Sequence, residues 1–393
     1  MGADAERLLD AFARGRLLRP SASAPNTVDL ALALGSLAGA PVIRTPNADR
    51  IASLIGPAEH LVFVLVDGMG QHIVRRLDDG CFLRRHTVME LQSVAPSATT
   101  AALTTLATGL WPGDHGVLGW WTYLRARDLS VVTLPFIERH SQRPAGEFGL
   151  RASDLYPRPP MVTAYGHEPQ GWLPSYIANS VYSRYTSGGR ENRGYRSLRR
   201  ACEEIAARVR AATAPTWSYL YVPFVDTAEH EDGASAARPL RVLRDVAARL
   251  AALREALDGR ARVVVSADHG QIDVPPAQVV RLARSDPLMP LLLAPPSGEP
   301  RLARWHVRPG RGEAFARAFR ARFGARFVLL SQGEAEDLRL FGPGPLGAEA
   351  RERCGDYVSI PLDASSIWYE QDGTRGDHGA FTAEEMQVPL VVA

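Results

Sequence analysis

The hydrophobic pattern divides the chain into two regimes. In residues 1–60 the apolar positions fall at helical spacing and predict a helix in the first twenty residues, a second at 29–37 and a third near Asn47. Pro20, Pro25 and Pro41 punctuate the connections between them. From residue 61 the pattern changes to short apolar runs alternating with amphipathic stretches. The runs LVFVLV (61–66), SYLYVPFV (218–225) and ARVVVS (261–266) read as strands covered on both faces. The stretches 195–212 and 239–257 read as helices linked to them, and 388–392 supplies a final strand. Such alternation predicts an α/β chain with a mostly parallel sheet and crossover helices. We therefore expect one domain over 1–393, with 1–60 as an N-terminal lead-in. Two stretches break the alternation: 119–160 is aromatic and Arg-bearing without a period, and 285–373 is rich in Pro and Gly around a helix (312–323) and a strand (326–330). Both are expected to be cap-like insertions at one edge of the sheet.

Composition removes several function classes. With 46% hydrophobic and 22% charged residues the chain is globular, and a net charge of +2 announces no surface for a nucleic-acid polymer. All 45 basic residues are arginine, which together with the abundant Ala, Gly and Pro points to a GC-rich, bacterial genome. Without lysine, a Walker-type phosphate loop, a pyridoxal Schiff base and a protein-kinase site are excluded. Cys81, Cys202 and Cys354 are scattered, so neither a disulfide framework nor a Cys-ligated zinc is indicated. The first helix lacks the apolar core of a signal peptide and no stretch approaches ~18 apolar residues, so a cytoplasmic protein without a membrane span is expected.

Candidate chemistry starts at residues 93–121, SVAPSATTAALTTLATGLWPGDHGVLGWW, with five threonines between Pro96 and Gly109. An extended segment (87–94) ends at Pro96, and 99–108 reads as a helix opened by a hydroxyl residue. A hydroxyl there meets free backbone N–H groups and a partial positive charge, which suit a phosphate and favour an ionised alkoxide. Three candidate strands end in aspartate: Asp67 in LVDGMG, Asp226 in PFVDTAEH and Asp268 in VVVSADHG. Ligands of open α/β sheets bind beyond the carboxyl ends of the strands, so the three acids are expected to converge. Like charges repel unless a cation sits among them, and without lysine a metal ion is the economical answer. His230 follows Asp226 by four residues and shares its helical face. His269 adjoins Asp268, and His378 lies in GDHGAF before the last strand. This oxygen and nitrogen set suits zinc or manganese, and six ligands divide into two sites of three. His60, His72, His86, His140, His167 and His306 read as surface or packing residues, and His115 as a turn residue holding the loop after the threonine helix.

The segments VLVDGMG, PSATTAALTTLATGLWPGDHG, VDTAEH, SADHG and GDHGAFTAEEMQVPL, in that order from residue 61 to the C-terminus, resemble the type I phosphodiesterase and nucleotide pyrophosphatase branch of the alkaline phosphatase superfamily. The resemblance implies an alkaline-phosphatase-like three-layer α/β/α sandwich with a mostly parallel central sheet and cap insertions over its C-terminal edge. It implies two divalent metal ions, usually zinc. One would be held by Asp67, Asp268 and His269 beside the Thr99 oxygen, the other by Asp226, His230 and His378. In the family the nucleophile stands ten residues before the glycine of the TG pair, which is Thr99 here, with Thr100 the adjacent alternative. The implied reaction is hydrolysis of a phosphodiester or phosphoanhydride through a phospho-threonine intermediate, with a small phosphorylated substrate such as a nucleotide.

One departure stands out. Relatives acting on nucleotides carry an asparagine after the HG pair, and Trp120 falls there. Trp120, Trp121, Tyr123 and Trp172 are candidates to stack on substrate, and Arg125, Arg143 or Arg304 to meet a second phosphate. A phosphomonoesterase or phosphonate hydrolase with the same metals is the nearest rival, and a catalytically silent metal-containing binding protein the rival from another class. A sulfatase lacks its C/S-x-P-x-R setting, since FLRR follows Cys81, and no G-x-S-x-G elbow is present.

Overall fold

The continuous apolar runs become strands buried on both faces. In the computed structural model, which describes residues 2–393, all seven residues of strand β1 (His60–Val66) are buried. β1 is the middle of a seven-stranded sheet with β2 (Thr87–Gln92), β3 (Glu168–Pro174), β4 (Arg193–Tyr195), β5 (Thr216–Val222), β6 (Ala261–Ser266) and β7 (Gln387–Val392), in the order β2-β7-β6-β1-β5-β3-β4. β1 runs parallel to β5 and β6, and β3 runs parallel to β5 and β4. Only β7 is reversed, antiparallel to both β2 and β6. The predicted strand 218–225 begins earlier and stops at Val222, because Pro223 has no N–H for the ladder and instead opens a helix.

Two sets of helices cover this sheet and make it a three-layer α/β/α sandwich. Helix α1 (Ala3–Ala13) stands apart from both, against the strand Phe327–Ser331 of a second sheet. There Asp4 accepts from Arg320 Nε at 2.7 Å and from the Leu329 N–H. Helices α2 (Thr27–Leu37), α3 (Pro46–Ile55) and α4 (Thr99–Thr108) pack together, as do α5 (Leu198–Ala211), α6 (Phe224–Asp232) and α7 (Ala237–Leu257). The lead-in segment thus serves two layers: α1 the second sheet, α2 and α3 the first. Among the described residues no helix is long and apolar enough to cross a membrane.

The stretches without a period join in the second sheet, also of seven strands. Trp121–Leu124, Leu129–Val132 and Ile137–Glu138 come from the first, and Ser297–Glu299, Leu302–Trp305, Phe327–Ser331 and Tyr357–Pro361 from the second. A single residue pair, Gly298 with Trp121, links the two groups. The chains come so close that a Cβ on Gly119 would lie 2.7 Å from the Gly298 backbone, and Gly119 has φ +158°. That contact carries Glu299 to the start of α4.

Candidate active site

Parallel strands deliver their carboxyl ends to one rim of the sheet. Asp67 is the first residue beyond β1, and Asp268 lies just past β6. Asp226 sits in the first turn of α6 with His230 one turn further on, as their spacing requires. Gly68 lets these segments meet: it holds φ +76°, and a Cβ there would lie 2.8 Å from the Asp226 Cα. His378 arrives from the far end of the chain. The short pairing of Ile272 and Asp273 with Asp377 and Gly376 ties its loop to the one after β6.

Thr99 is the first helical residue of α4, not its cap. The cap is Ala98, which makes no side-chain capping bond, so the Thr99 hydroxyl is not spent on the helix. Its Oγ1 lies 3.1 Å from His269 Nε2. The adjacent Thr100 hydroxyl is buried and points to Glu299 Oε1 at 3.4 Å. The geometry therefore separates the two hydroxyls. His115 is also occupied: its Nε2 meets Thr105 Oγ1 at 3.1 Å and its Nδ1 accepts the Val117 N–H, so it pins the loop after α4. Burial, with Arg353 nearby, pushes its imidazole down to about 3.

The six expected ligands come together. His269 Nε2 lies 3.5 Å from Asp67 Oδ1 and 3.6 Å from Asp268 Oδ2, and Asp226 Oδ1 lies 3.3 Å from His230 Nε2 and 3.9 Å from His378 Nε2. The His269 and His378 rings stack with centroids 3.7 Å apart. Two compact groups could each hold a metal: Asp67, Asp268 and His269, and Asp226, His269 and His378. His269 lies between them, while His230 stands beside Asp226 at the edge. Each histidine places Nδ1 against a backbone carbonyl, of Gly376 for His230, Gly270 for His269 and Ser97 for His378. A carbonyl only accepts, so Nδ1 carries a proton, and a neutral ring then offers its Nε2 lone pair to the centre.

The electrostatics of the cluster are those a cation would relieve. Burial first, then repulsion from Asp268 and Asp226, raises the Asp67 carboxyl, and burial raises Asp268. Burial would raise Asp226 too, but the neighbouring His230 holds it below its ordinary range. His230, despite burial, is correspondingly pushed up to about 10 by Asp226. Asp67 Oδ1 and Asp268 Oδ2 are buried without a hydrogen-bond partner. Two orphaned, mutually repelling carboxylate oxygens are what a cation would satisfy.

Sequence reasoning missed several supporting residues. Tyr221 donates its hydroxyl to Asp67 Oδ2, and Gln271 donates to the Asp226 carboxylate. Glu299 accepts the Trp120 N–H at 2.7 Å, and burial pushes its carboxyl up to about 8. Strand position makes Tyr221 findable, since it sits two residues before the Pro223 break. Glu299 carries no local signal.

Two cavities meet at Thr99. One, of about 640 Å³, has an apolar wall that includes Phe63, Leu103, Leu106, Tyr165 and Trp217. The other, of about 680 Å³, is bordered by Trp121, Arg139, His140, Trp368 and Tyr369. Thr99, Trp120, Pro135 and Asp226 border both. The other substrate-facing expectations are corrected. Trp172 is fully buried with its indole N–H on Glu204, and the Tyr123 hydroxyl is on Asp128. Arg125 pairs with Asp356, Arg143 with Glu147, and Arg304 is buried over Phe341. None of these three arginines lines either cavity.

The model of the type I phosphodiesterase / nucleotide pyrophosphatase family matches residues 61–380. No curated protein matches. Among solved structures, murine ectonucleotide pyrophosphatase/phosphodiesterase 5 is 16% identical with a TM-score of 0.62, covering 84% of this chain and 87% of that one. An inactive threonine-to-alanine variant of the murine protein in complex with AMP is 17% identical with the same TM-score and coverage. The human protein is 14% identical with a TM-score of 0.64, again covering 84% and 87%. At these identities the likeness speaks for the alkaline-phosphatase-like fold, while the family match spans most of the chain. The chain belongs to the type I phosphodiesterase/nucleotide pyrophosphatase family and is a phosphoric ester hydrolase.

Proposed function

We propose that the chain hydrolyses a phosphodiester or phosphoanhydride through a covalent bond to Thr99, with two divalent metal ions bound beside it. The observation that carries this reading is an unspent helix-start hydroxyl 3.1 Å from His269, next to carboxylate oxygens of Asp67 and Asp268 that have no partner. Those residues fit a metal pair. Asp67, Asp268 and His269, with the Thr99 oxygen, would hold one ion, and Asp226, His230 and His378 the other. The donor set suits zinc, and manganese also fits. When bound, such a pair lowers the pKa of a hydroxyl and neutralises charge on the phosphoryl group.

The chain's own residues then have defined tasks. Thr99 Oγ, having lost its proton to solvent, attacks phosphorus. The Oγ–P bond forms as the bond to the leaving oxygen breaks, and that oxygen departs with the electron pair. Water then attacks the phospho-threonine, the Oγ–P bond breaks, and a phosphomonoester leaves. Tyr221 and Gln271 hold Asp67 and Asp226 in place. Two cavities meeting at one nucleophile favour a substrate with a substituent on each side of phosphorus, hence a diester or anhydride over a monoester. The AMP complex of the inactive murine protein supports a nucleotide or nucleotide derivative, and the apolar wall of the first cavity suits its base.

The test is turnover of bis(p-nitrophenyl) phosphate by zinc-loaded protein. Thr99→Ala, which keeps the six aspartate and histidine ligands, is expected to lower kcat by at least ~1,000-fold at saturating zinc. Near-normal turnover would refute the covalent route. Hydrolysis that survives a chelator would refute the metal pair, and no hydrolysis of any diester by intact protein would favour a silent binding protein.

A further inference from the structure

The arginines are unevenly spread along the chain. Between Ser175 and Arg200 there are six of them against one acid, Glu191, a net charge of +5 in a chain whose total is +2. Glu191 meets Arg184 at 3.7 Å, and Arg199 and Arg200 pair along their own helix with Glu203 and Glu204. Arg190, Arg193 and Arg196 are exposed and, among the described residues, form no ion pair. Arg193 lies with its guanidinium carbon 5.6 Å from the Trp172 ring centroid, which leaves its N–H groups free for an anion.

Local folding gathers these residues on one edge of the first sheet. β4 (Arg193–Tyr195) is the edge strand, with Pro174 of β3 opposite Tyr195, and the Ser175 N–H donates to the Tyr195 carbonyl at 2.9 Å. Between the two strands the chain makes an excursion through the helix Val181–Thr186. The Asn192 side-chain amide closes it, donating to the Ala178 carbonyl at 2.9 Å and the Ser183 carbonyl at 3.2 Å. The platform is therefore formed before any partner arrives.

Apolar side chains stand among the arginines. Of seven large ones exposed among the described residues, three are here: Tyr176, 77% exposed, with Val181 and Phe224. Phe224 sets its ring edge-on to Tyr195 at 6.4 Å. Tyr176, Ser180 and Arg190 also border the apolar cavity, so its mouth opens within this patch. Unpaired arginines beside an exposed phenol and exposed hydrocarbon match a bilayer interface, where the cations meet lipid phosphates and the apolar groups leave water. A single nucleic-acid strand would use the arginines and Tyr176 and gain nothing from Val181.

We infer that this edge docks on an anionic lipid bilayer, with Arg190, Arg193 and Arg196 on lipid phosphates and Tyr176, Val181 and Phe224 entering the headgroup layer. The mouth of the apolar cavity then faces the membrane. The docking requires neither the metal pair nor the covalent route.

The test is cosedimentation of the zinc-loaded full chain with vesicles. Binding is expected to vesicles of mixed phosphatidylglycerol and phosphatidylcholine, to weaken as salt rises, and to be absent with phosphatidylcholine alone. Each arginine near such a surface is worth roughly 5-fold in partitioning, so Arg193→Glu with Arg196→Glu should lower binding by at least ~25-fold. Turnover of bis(p-nitrophenyl) phosphate by that double variant should be unchanged, which reports an intact fold. Arg311→Glu with Arg317→Glu makes the same change of charge at exposed positions around the helix Gly312–Phe323 and should leave vesicle binding near that of the wild type. The inference is overturned if anionic vesicles do not bind, if neutral vesicles bind equally, or if the Arg193 and Arg196 double variant binds like the wild type. It is also overturned if the Arg311 and Arg317 pair weakens binding as much, or if an oligothymidylate binds tighter than the vesicles.

Discussion

Glu299 gives a measurable link between pH and stability. Its carboxyl is buried, accepts the Trp120 N–H at 2.7 Å, and keeps its proton to about pH 8 in the folded chain, against an ordinary value of 4.5. The sign follows from proton counting. Between pH 4.5 and 8 the folded state holds a proton that the unfolded state has released, so stability is greatest below 4.5 and falls as pH rises toward 8. From pH 5 to 8 this one group should cost about 3.5 kcal/mol. Glu299→Gln removes the titration, while the amide oxygen can still accept from Trp120. Urea unfolding of chelator-treated wild type and variant at pH 5, 6.5 and 8 is the assay. The variant should gain on wild type by that amount across the range. Parallel curves would refute the argument, and a variant that loses ground toward pH 8 would show that Glu299 is ionised in the folded chain.

Two other predictions concern residues that hold the site. Tyr221→Phe removes the hydroxyl that donates to Asp67 and should weaken zinc binding roughly 10- to 100-fold in a chelator competition, with little change in fold; unchanged zinc affinity would refute a supporting role. Arg301 and Glu385 form a fully buried pair at 2.7 Å, and Glu385 also accepts the Ala380 N–H, anchoring the loop after His378. Arg301→Met strands the carboxylate and should cost about 3–5 kcal/mol in urea unfolding, with part recovered on adding Glu385→Leu; a loss under 1 kcal/mol would contradict the burial argument.

Elements specified by local pattern were legible with their boundaries. Helix Thr99–Thr108 ends at Gly109 in the left-handed conformation, a local stop signal, and helix Gly312–Phe323 shows its apolar face at Phe315, Phe319 and Phe323. Of the second sheet only one strand was legible, read at 326–330 and found at Phe327–Ser331. Its strands run two to five residues, too short for a period, and its two groups of strands come from segments far apart in sequence. The substrate-facing candidates divided for a related reason: Trp120 and Trp121 border the cavities and the others do not. Trp172 and Arg304 look available in the sequence but are buried, and Arg139 looks like any surface arginine until Trp121 and Tyr369 close on it.

By itself the sequence determined the identities and spacings that chemistry requires: aspartates at the ends of apolar runs, a histidine one helical turn after Asp226, threonines after Pro96 and no lysine. Only the tertiary structure decided that Ala98 caps the helix and frees Thr99, that Thr100 faces Glu299, and that two differently lined cavities meet at the hydroxyl. The reason is range. Backbone periodicity and caps act over a few residues, whereas burial and the approach of side chains depend on which distant segments pair.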